Sequence, residues 1–294
     1  MLKISAATRS EAAALPTEEG ELVYRNESFL HLVTDGELLA VAKAGTGLPF
    51  GIEVPYQTDW RALPLSVGDP VRWTADTVRI GSALEVTALS SCRTYAHRVE
   101  AQETGLSPAV LQELHALTRE EEPRGIAVEL AALFDESGRE LIFEETEEMS
   151  PAARAVLRLV RGGGGRASLA ETADALIGRG RGSTPAGDDF LSGLYGAILF
   201  GGAAWEGARN MLREEIRARL SRTTRLSATY MSYLLDGVWH KGVADFLRAA
   251  RDASPLLPRR ARMLLSYGHS SGSDFLQGFL IGGHWMTKAA ANRT

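Results

Sequence analysis

The hydrophobic pattern of this chain changes near residue 100, and that change limits the folds open to it. Before it, short apolar runs alternate with glycine, proline and polar residues, which is typical of β-strands separated by turns. The clearest pair, Ser28 to Lys43, turns at Asp35-Gly36, a dipeptide suited to positive φ angles. Further runs are FGIEV, DPVRW, TVRI and LEVTAL. This spacing predicts a β-rich barrel or sandwich over residues 1–103.

From residue 104 onward the chain carries the start signals of helices. A serine before a proline places a capping hydroxyl ahead of a proline at the first helical position. Three serines stand in this arrangement, and they are Ser107, Ser150 and Ser254. We therefore predict an α+β protein, in which the β-rich domain is followed by a mostly α-helical domain over residues 104–294 that holds the functional site.

Composition excludes several classes of partner. The net charge is -5, so the chain offers no broad basic field for nucleic acid or anionic lipid. Its one cysteine, Cys92, rules out an internal disulfide and a multi-cysteine zinc site. The N-terminus lacks the long apolar run of a secretory signal, and Phe190 to Trp205 is shorter than the roughly 20 residues that span a bilayer. We expect a cytoplasmic protein that binds neither nucleic acid nor membrane.

A glycine-rich segment, Gly178 to Asp189, is the main candidate for a functional site. It precedes a helix expected to open near Phe190, because apolar residues then recur at helical spacing. Glycines free the backbone so that its N–H groups converge on an anion, and a helix N-terminus adds its dipole. The candidate ligands of such an anion are Arg179, Gly180, Arg181, Gly182, Thr184, Gly187 and Asp188. The alternative is a glycine-rich turn whose two acids only cap a core helix.

A second segment, Gly272 to Gly278, repeats part of the first at five of seven positions, 85 residues later. Asp188 is replaced there by Ser273, and aspartate and serine are interchangeable N-caps, so Asp188 is predicted to be a replaceable cap. The next position is aspartate in both copies. Asp189 and Asp274 are therefore the predicted catalytic acids, unless both only complement the helix dipole.

Other polar residues are candidates to complete a site for a small anion. Thr223 and Thr224 are small hydroxyl donors ahead of a helix, although both could be ordinary caps. The residues that precede the second acid are His269, Ser270, Ser271 and Gly272. The histidines of the chain show no metal-ligand spacing, so no protein metal site is predicted.

Two motifs of this chain together resemble a long-uncharacterised bacterial family that includes the third subunit of oxamate carbamoyltransferase, from anaerobic allantoin breakdown in purine catabolism. They are Gly180-x-Gly182-x-Thr184-Pro185-x-Gly187-Asp188-Asp189-Phe190-Leu191-x-Gly193 and Gly268-His269-Ser270-Ser271-Gly272-x-Asp274. The resemblance implies a transferase reaction, the phosphorolysis of oxalurate to oxamate and carbamoyl phosphate or its reverse, by a complex of different subunits. The implied ligand is a small anionic compound: phosphate, a carboxylate or a carbamoyl compound.

The resemblance leaves the cofactor unknown. A carboxylate beside a phosphate is repulsive unless an arginine or Mg²⁺ intervenes, and the residues do not show which.

Two other functions compete with this one. A Gly-Asp pair before an apolar helix also resembles the anion hole of ribokinase-like kinases, but the second domain lacks the alternating strands and helices of that fold. The chain could also be a non-catalytic structural subunit whose glycine-rich helices simply pack closely. Binding of phosphate or a small carboxylate would separate the enzymes from the structural subunit, and ATP binding would single out the kinase.

Overall fold

The computed structural model describes residues 1–57, 59–102, 105–120, 124–131, 133, 145, 149–162 and 164–291. The chain divides into two compact units. One consists of Met1–Arg98 with Asp236–Lys241, and the other of Val99–Leu235 with Gly242–Thr294. Residues 103 and 104, where we placed the domain boundary, lie outside the described residues, so that boundary stays a prediction.

The first unit is built on a single curled sheet. The strands of its described residues are β1 (Leu2–Ser5), β2 (Thr8–Ser10), β3 (Gly20–Arg25), β4 (Phe29–Thr34), β5 (Glu37–Lys43), β6 (Gly51–Val54), β7 (Pro70–Trp73), β8 (Val78–Ile80), β9 (Leu84–Thr87) and β10 (Arg93–Tyr95). Their order in the sheet is β1-β9-β8-β7-β3-β4-β5-β6-β2-β10. The predicted hairpin is β4–β5, which turns at Asp35 and Gly36 with φ angles of 54° and 79°.

The N-terminal segment explains why the sheet curls. β1 pairs with β9, whereas β2, which follows it directly, pairs with β6. The switch occurs between two neighbouring residues, since the N–H of Ala6 donates to Thr87 O and that of Ala7 donates to Glu53 O. One extended segment thus joins strands from distant places in the sheet order, which requires curvature. Apolar side chains of the sheet, such as those of Leu32 and Ile52, form the core of this unit.

The second unit is helical. Its described helices are α1 (Pro108–Glu120), α2 (Ile126–Ala131), α3 (Pro151–Arg161), α4 (Arg166–Leu176), α5 (Ala186–Ile198), α6 (Glu206–Arg217), α7 (Arg225–Leu235), α8 (Lys241–Arg251), α9 (Leu257–Leu265) and α10 (Ser271–Ala291). Lys241, the first residue of α8, is grouped with the sheet unit. Together the two units confirm the predicted α+β class. In the described part of the chain, no helix combines the length and apolarity needed to cross a membrane.

The predicted helix starts hold at two of the three serines. α1 and α3 begin at the proline after Ser107 and Ser150, and each serine hydroxyl accepts a backbone N–H of the first turn, from Ala109 and Ala153. The prediction at Ser254 is wrong, because α9 begins only at Leu257. Ser254 instead belongs to a turn in which its carbonyl accepts the N–H of Leu257.

The two glycine motifs meet because α5 and α10 cross at glycines. A Cβ built on Gly193 of α5 would lie 1.9 Å from the carbonyl oxygen of Phe275, and a Cβ on Gly278 of α10 would lie 2.0 Å from that of Phe190. Further along, Gly282 of α10 faces Ala197 of α5. The residue numbers of the contacts increase in the same direction along both helices. The helices therefore run parallel, and both N-termini lie at the same end. The repeat is thus a physical pseudo-two-fold relation.

Replacing Gly193 with alanine should separate the two helices. We expect Gly193→Ala to lower the free energy of unfolding by about 3 kcal/mol, because its methyl group would overlap the backbone of α10. Gly207→Ala in α6 is the matched control: nothing lies within 4 Å of its added Cβ, and a helical glycine-to-alanine change gains up to about 1 kcal/mol. Urea unfolding measures both. Equal effects of the two substitutions would contradict the close crossing.

Candidate functional site

The glycine-rich segment folds into a loop between α4 and α5. Gly178, Gly180 and Gly182 have φ angles of 74°, 117° and 95°, a region that favours glycine. At Gly180 an added Cβ would also lie 2.7 Å from the backbone nitrogen of Ala186. The helix begins at Ala186, with Pro185 as its N-cap, so our expectation of a start near Phe190 is wrong by one turn. The loop therefore needs its glycines for backbone geometry.

Some backbone N–H groups of this segment donate hydrogen bonds within it, and others have no acceptor among the described residues. The N–H of Gly187 donates to Arg179 O at 2.8 Å, which closes the loop on its own helix. No acceptor within the described residues receives the backbone N–H of the exposed stretch at the loop tip. The open donors belong to Gly180, Arg181, Gly182 and Ser183, followed by Thr184. Open N–H groups beside a helix N-terminus are the donors that an anion requires.

Pro185 is the N-cap of α5, so the prediction of Asp188 as the N-cap is wrong, and Asp188 instead anchors this loop from within. Its carboxylate is 1% exposed and accepts three hydrogen bonds. Oδ1 accepts the backbone N–H of Gly178 at 2.8 Å, whereas Oδ2 accepts the hydroxyls of Thr223 and, at 2.5 Å, of Ser227. Asp188 thus joins the loop to α7. Serine has one short acceptor and cannot make these contacts together.

Asp189 and Asp274 occupy equivalent positions in the first turns of α5 and α10. Asp274 is fully buried, and Asp189 is half-buried with its Oδ2 sealed from solvent and without a hydrogen bond from the described residues. The hydroxyls of Thr184 and Ser271 lie 3.0 Å apart beside Asp189, where both favour its ionised form. The two motifs therefore bring together Thr184, Asp189, Ser271 and Asp274.

The electrostatic environment of Asp189 is unusual. Burial, and then the neighbouring carboxylates of Asp274 and Asp188, raise the pKa of Asp189 well above its usual range, against the hydrogen bonds from Ser271 and Thr184. Burial, together with Asp189, also raises the pKa of the Tyr230 phenol. Strong perturbation of a carboxyl by burial and like charge is typical of functional sites.

Two residues near these acids were missed by the sequence interpretation. Tyr230 lies on α7, three residues after Ser227, so that helical spacing could have placed it on the same face. Gly125, just before α2, has a φ angle of 61°, and an added Cβ would lie 2.4 Å from Asp274 Oδ2. No local sequence signal connects Gly125 to Asp274, because the contact spans most of the helical unit.

The remaining predicted residues fall into supporting positions. Arg179 pairs with Glu129 at 2.9 Å and Arg181 is exposed. The Thr224 hydroxyl donates to Ser183 O at 2.5 Å and accepts the N–H of Ser227, so it caps α7 while holding the loop.

At the start of α10, the residues before Asp274 mostly take part in backbone packing and backbone hydrogen bonds. A Cβ on Gly272 would lie 1.8 Å from Leu264 O. The Ser270 carbonyl accepts the N–H of Asp274, and the carbonyl of exposed His269 accepts a hydrogen bond from Arg124. In the part of the chain that the structure describes, no group of three or more His, Cys, Asp or Glu side chains could hold a metal ion.

These features define an α+β protein with a candidate site of two acids, which lies where two parallel helices begin after glycine-containing motifs. Residues 176–283, which contain both motifs, match the family model of oxamate carbamoyltransferase subunit AllH. This match covers the region of the two motifs and agrees with their resemblance to that family. No solved structure matches the chain.

Asp188 offers a test of the loop anchor. We expect Asp188→Ser to lower the free energy of unfolding by roughly 2–4 kcal/mol, because buried donors of Gly178, Thr223 and Ser227 lose their acceptor. The matched control is Ser273→Ala at the equivalent, part-exposed position of α10, where we expect a change within about 0.5 kcal/mol. Thermal unfolding measures both. A mild Asp188→Ser variant would restore the interpretation as a simple cap.

Proposed function

We propose that this chain is a subunit of a carbamoyltransferase of the oxamate carbamoyltransferase type, and that the converging ends of α5 and α10 bind its small anionic substrate. The observation that carries this is the pairing of Asp189 with Asp274 beside a loop of open backbone N–H groups. The family match over residues 176–283 supports the reaction class. The substrates that fit are a small carboxylate or ureido compound together with phosphate or carbamoyl phosphate.

The chemistry of this reaction suits the groups present. In carbamoyl transfer, the amide nitrogen of oxamate forms a bond to the carbamoyl carbon, the bond from that carbon to the phosphate oxygen breaks, and the nitrogen loses a proton. Backbone N–H donors stabilise the anionic groups without needing to reorganise. A carboxylate is the acceptor for the departing proton, and a carboxyl with a raised pKa suits proton transfer near neutral pH. We assign this role to the pair Asp189 and Asp274.

The proposed function includes other chains. The matched family is described as one subunit of an enzyme. We infer that this chain works in a complex of different subunits and shares the reaction with them. Two tightly packed parallel helices would also suit a purely structural subunit, but packing alone does not require two acids side by side at the helix ends.

The described structure does not favour the kinase alternative. A ribokinase-like fold requires strands of a parallel sheet alternating with helices through the second half of the chain. The described residues from 149 onward form helices and loops and contain no strand, apart from one isolated β-bridge residue at Val238.

Asp274→Asn tests the proposed site. The amide keeps the shape of the side chain and removes its charge, so we expect the variant to fold and the complex that contains it to lose about 100-fold or more in oxamate carbamoylation. Formation of carbamoyl-oxamate from carbamoyl phosphate and oxamate is the measurement, made with the co-purified subunits.

Asp252→Asn is the control for loss of one carboxylate. Asp252 follows α8 and is exposed, where it pairs with Arg251. We expect this variant to keep the activity of the parent complex. Full activity of Asp274→Asn in a folded complex would place the chemistry elsewhere and favour a structural role for this chain.

A further inference from the structure

The segment that precedes α2 lies against the start of α10. The guanidinium group of Arg124 donates a long hydrogen bond from Nη1 to the carbonyl oxygen of His269, at 3.4 Å. The next residue, Gly125, packs against the carboxyl group of Asp274, since an added Cβ would lie 2.4 Å from Oδ2. Arg124, Gly125 and His269 are all exposed. A solvent-accessible guanidinium group therefore lies at the N-terminal end of α10.

The start of α10 connects Arg124 to the glycine-rich loop. The hydroxyl of Ser271, the first residue of α10, lies 3.0 Å from the hydroxyl of Thr184 at the end of the loop. The backbone N–H groups of Ser271 and Ser273 have no acceptor among the described residues, as is usual in the first turn of a helix. Both helices thus begin with open donors, and Arg124 adds a positive charge on the side of α10.

Arg124 is available to bind an anion. Its hydrogen bond goes to a backbone carbonyl, and no acidic side chain pairs with it in the described part of the chain. The two arginines at the base of the loop are engaged with acids. Arg179 pairs with Glu129 at 2.9 Å. Arg222 pairs with Asp174 at 2.5 Å.

Arg181 is a second available cation, and it belongs to the loop itself. It is exposed and has no acidic partner among the described residues. The site therefore has two sets of donors for anions. One set consists of the loop with Arg181, which leads into α5, and the other consists of Arg124 beside the start of α10.

The proposed reaction also brings two anionic groups together. They are the phosphate of carbamoyl phosphate and the carboxylate of oxamate. Converging backbone N–H groups of a glycine-rich loop suit a phosphate. The planar fork of a guanidinium group matches the two oxygens of a carboxylate. The two sets of donors therefore differ in the anion that each fits best.

We propose that Arg124 binds the carboxylate of the oxamate-type substrate and so determines its specificity, while the loop binds the phosphate of the carbamoyl donor. The inference rests on the proposed function for the identity of both substrates. The amide carbon of oxamate is bonded directly to the carboxylate carbon. Holding the carboxylate therefore also restricts the position of the amide nitrogen that reacts.

Kinetics of the complex of co-purified subunits test this assignment. Arg124→Met keeps most of the length of the side chain and removes its charge. We expect the KM for oxamate to rise about tenfold or more, with little change in kcat or in the KM for carbamoyl phosphate. Arg124→Lys keeps the charge without the fork and should give an intermediate KM for oxamate.

Arg161→Met is the matched control. Arg161 ends α3, is exposed and has no acidic partner in the described part of the chain. Nearby Gly164 packs on Trp285, because an added Cβ would lie 2.4 Å from its Cζ2. Trp285 is about 20 Å along α10 from the start of that helix. We expect this variant to keep both KM values of the parent.

A binding comparison isolates the carboxylate. Oxamide has the size of oxamate but carries a neutral amide in place of the carboxylate. In isothermal titration of the complex, we expect the parent to bind oxamate about tenfold or more tightly than oxamide. Arg124→Met should bind the two compounds alike, because the cation that distinguishes them is gone.

The outcomes separate this inference from the proposed function. An active Arg124→Met complex with the parent KM for oxamate, or with a raised KM for carbamoyl phosphate instead, would overturn the assignment and leave the proposed function in place. So would loss of the preference for oxamate in Arg181→Met alone. A parent complex that neither binds oxamate nor carbamoylates it would overturn the proposed function, and the assignment with it.

Discussion

The close crossing of α5 and α10 is the constraint on which the functional end of the helical unit depends. Gly193 and Gly278 each lie against the backbone of the opposite helix, and no residue with a side chain fits there. Because the helices run parallel, their positive dipole ends coincide, which is unfavourable for the helices alone. An acid in the first turn complements the helix dipole, but burial and the neighbouring carboxylates outweigh that effect at Asp189, whose pKa is raised.

Consecutive aspartates in α5 perform different tasks because successive helical residues point about 100° apart. Asp188 faces the loop and α7, where three donors hold it. Asp189 faces α10 and shares its surroundings with Asp274. One acid thus shapes the loop, and its neighbour lies beside the open N–H groups that the loop presents. The glycines at 178, 180 and 182 permit the backbone conformation of this loop.

This arrangement suggests how acids and an anionic ligand can occupy one site. Backbone N–H groups carry no titratable charge and remain donors at every pH, whereas a carboxyl group is a donor only while protonated. Burial and the neighbouring carboxylates raise the pKa of Asp189, which favours its protonated form. The open donors of the site are the backbone N–H groups of the loop. The arginine of the loop is engaged with Glu129.

The sequence alone determined the change from strands to helices, the two glycine motifs and the family they resemble, because periodicity, turn residues and short motifs are local. It assigned Asp188 a capping role that the structure does not show, since aspartate and serine look alike as caps until the partners of the side chain are known. The sequence also gave no indication that Tyr230 and Gly125 lie near these acids. Only the tertiary structure brought these distant residues together, because burial and neighbouring charge arise where separate helices pack.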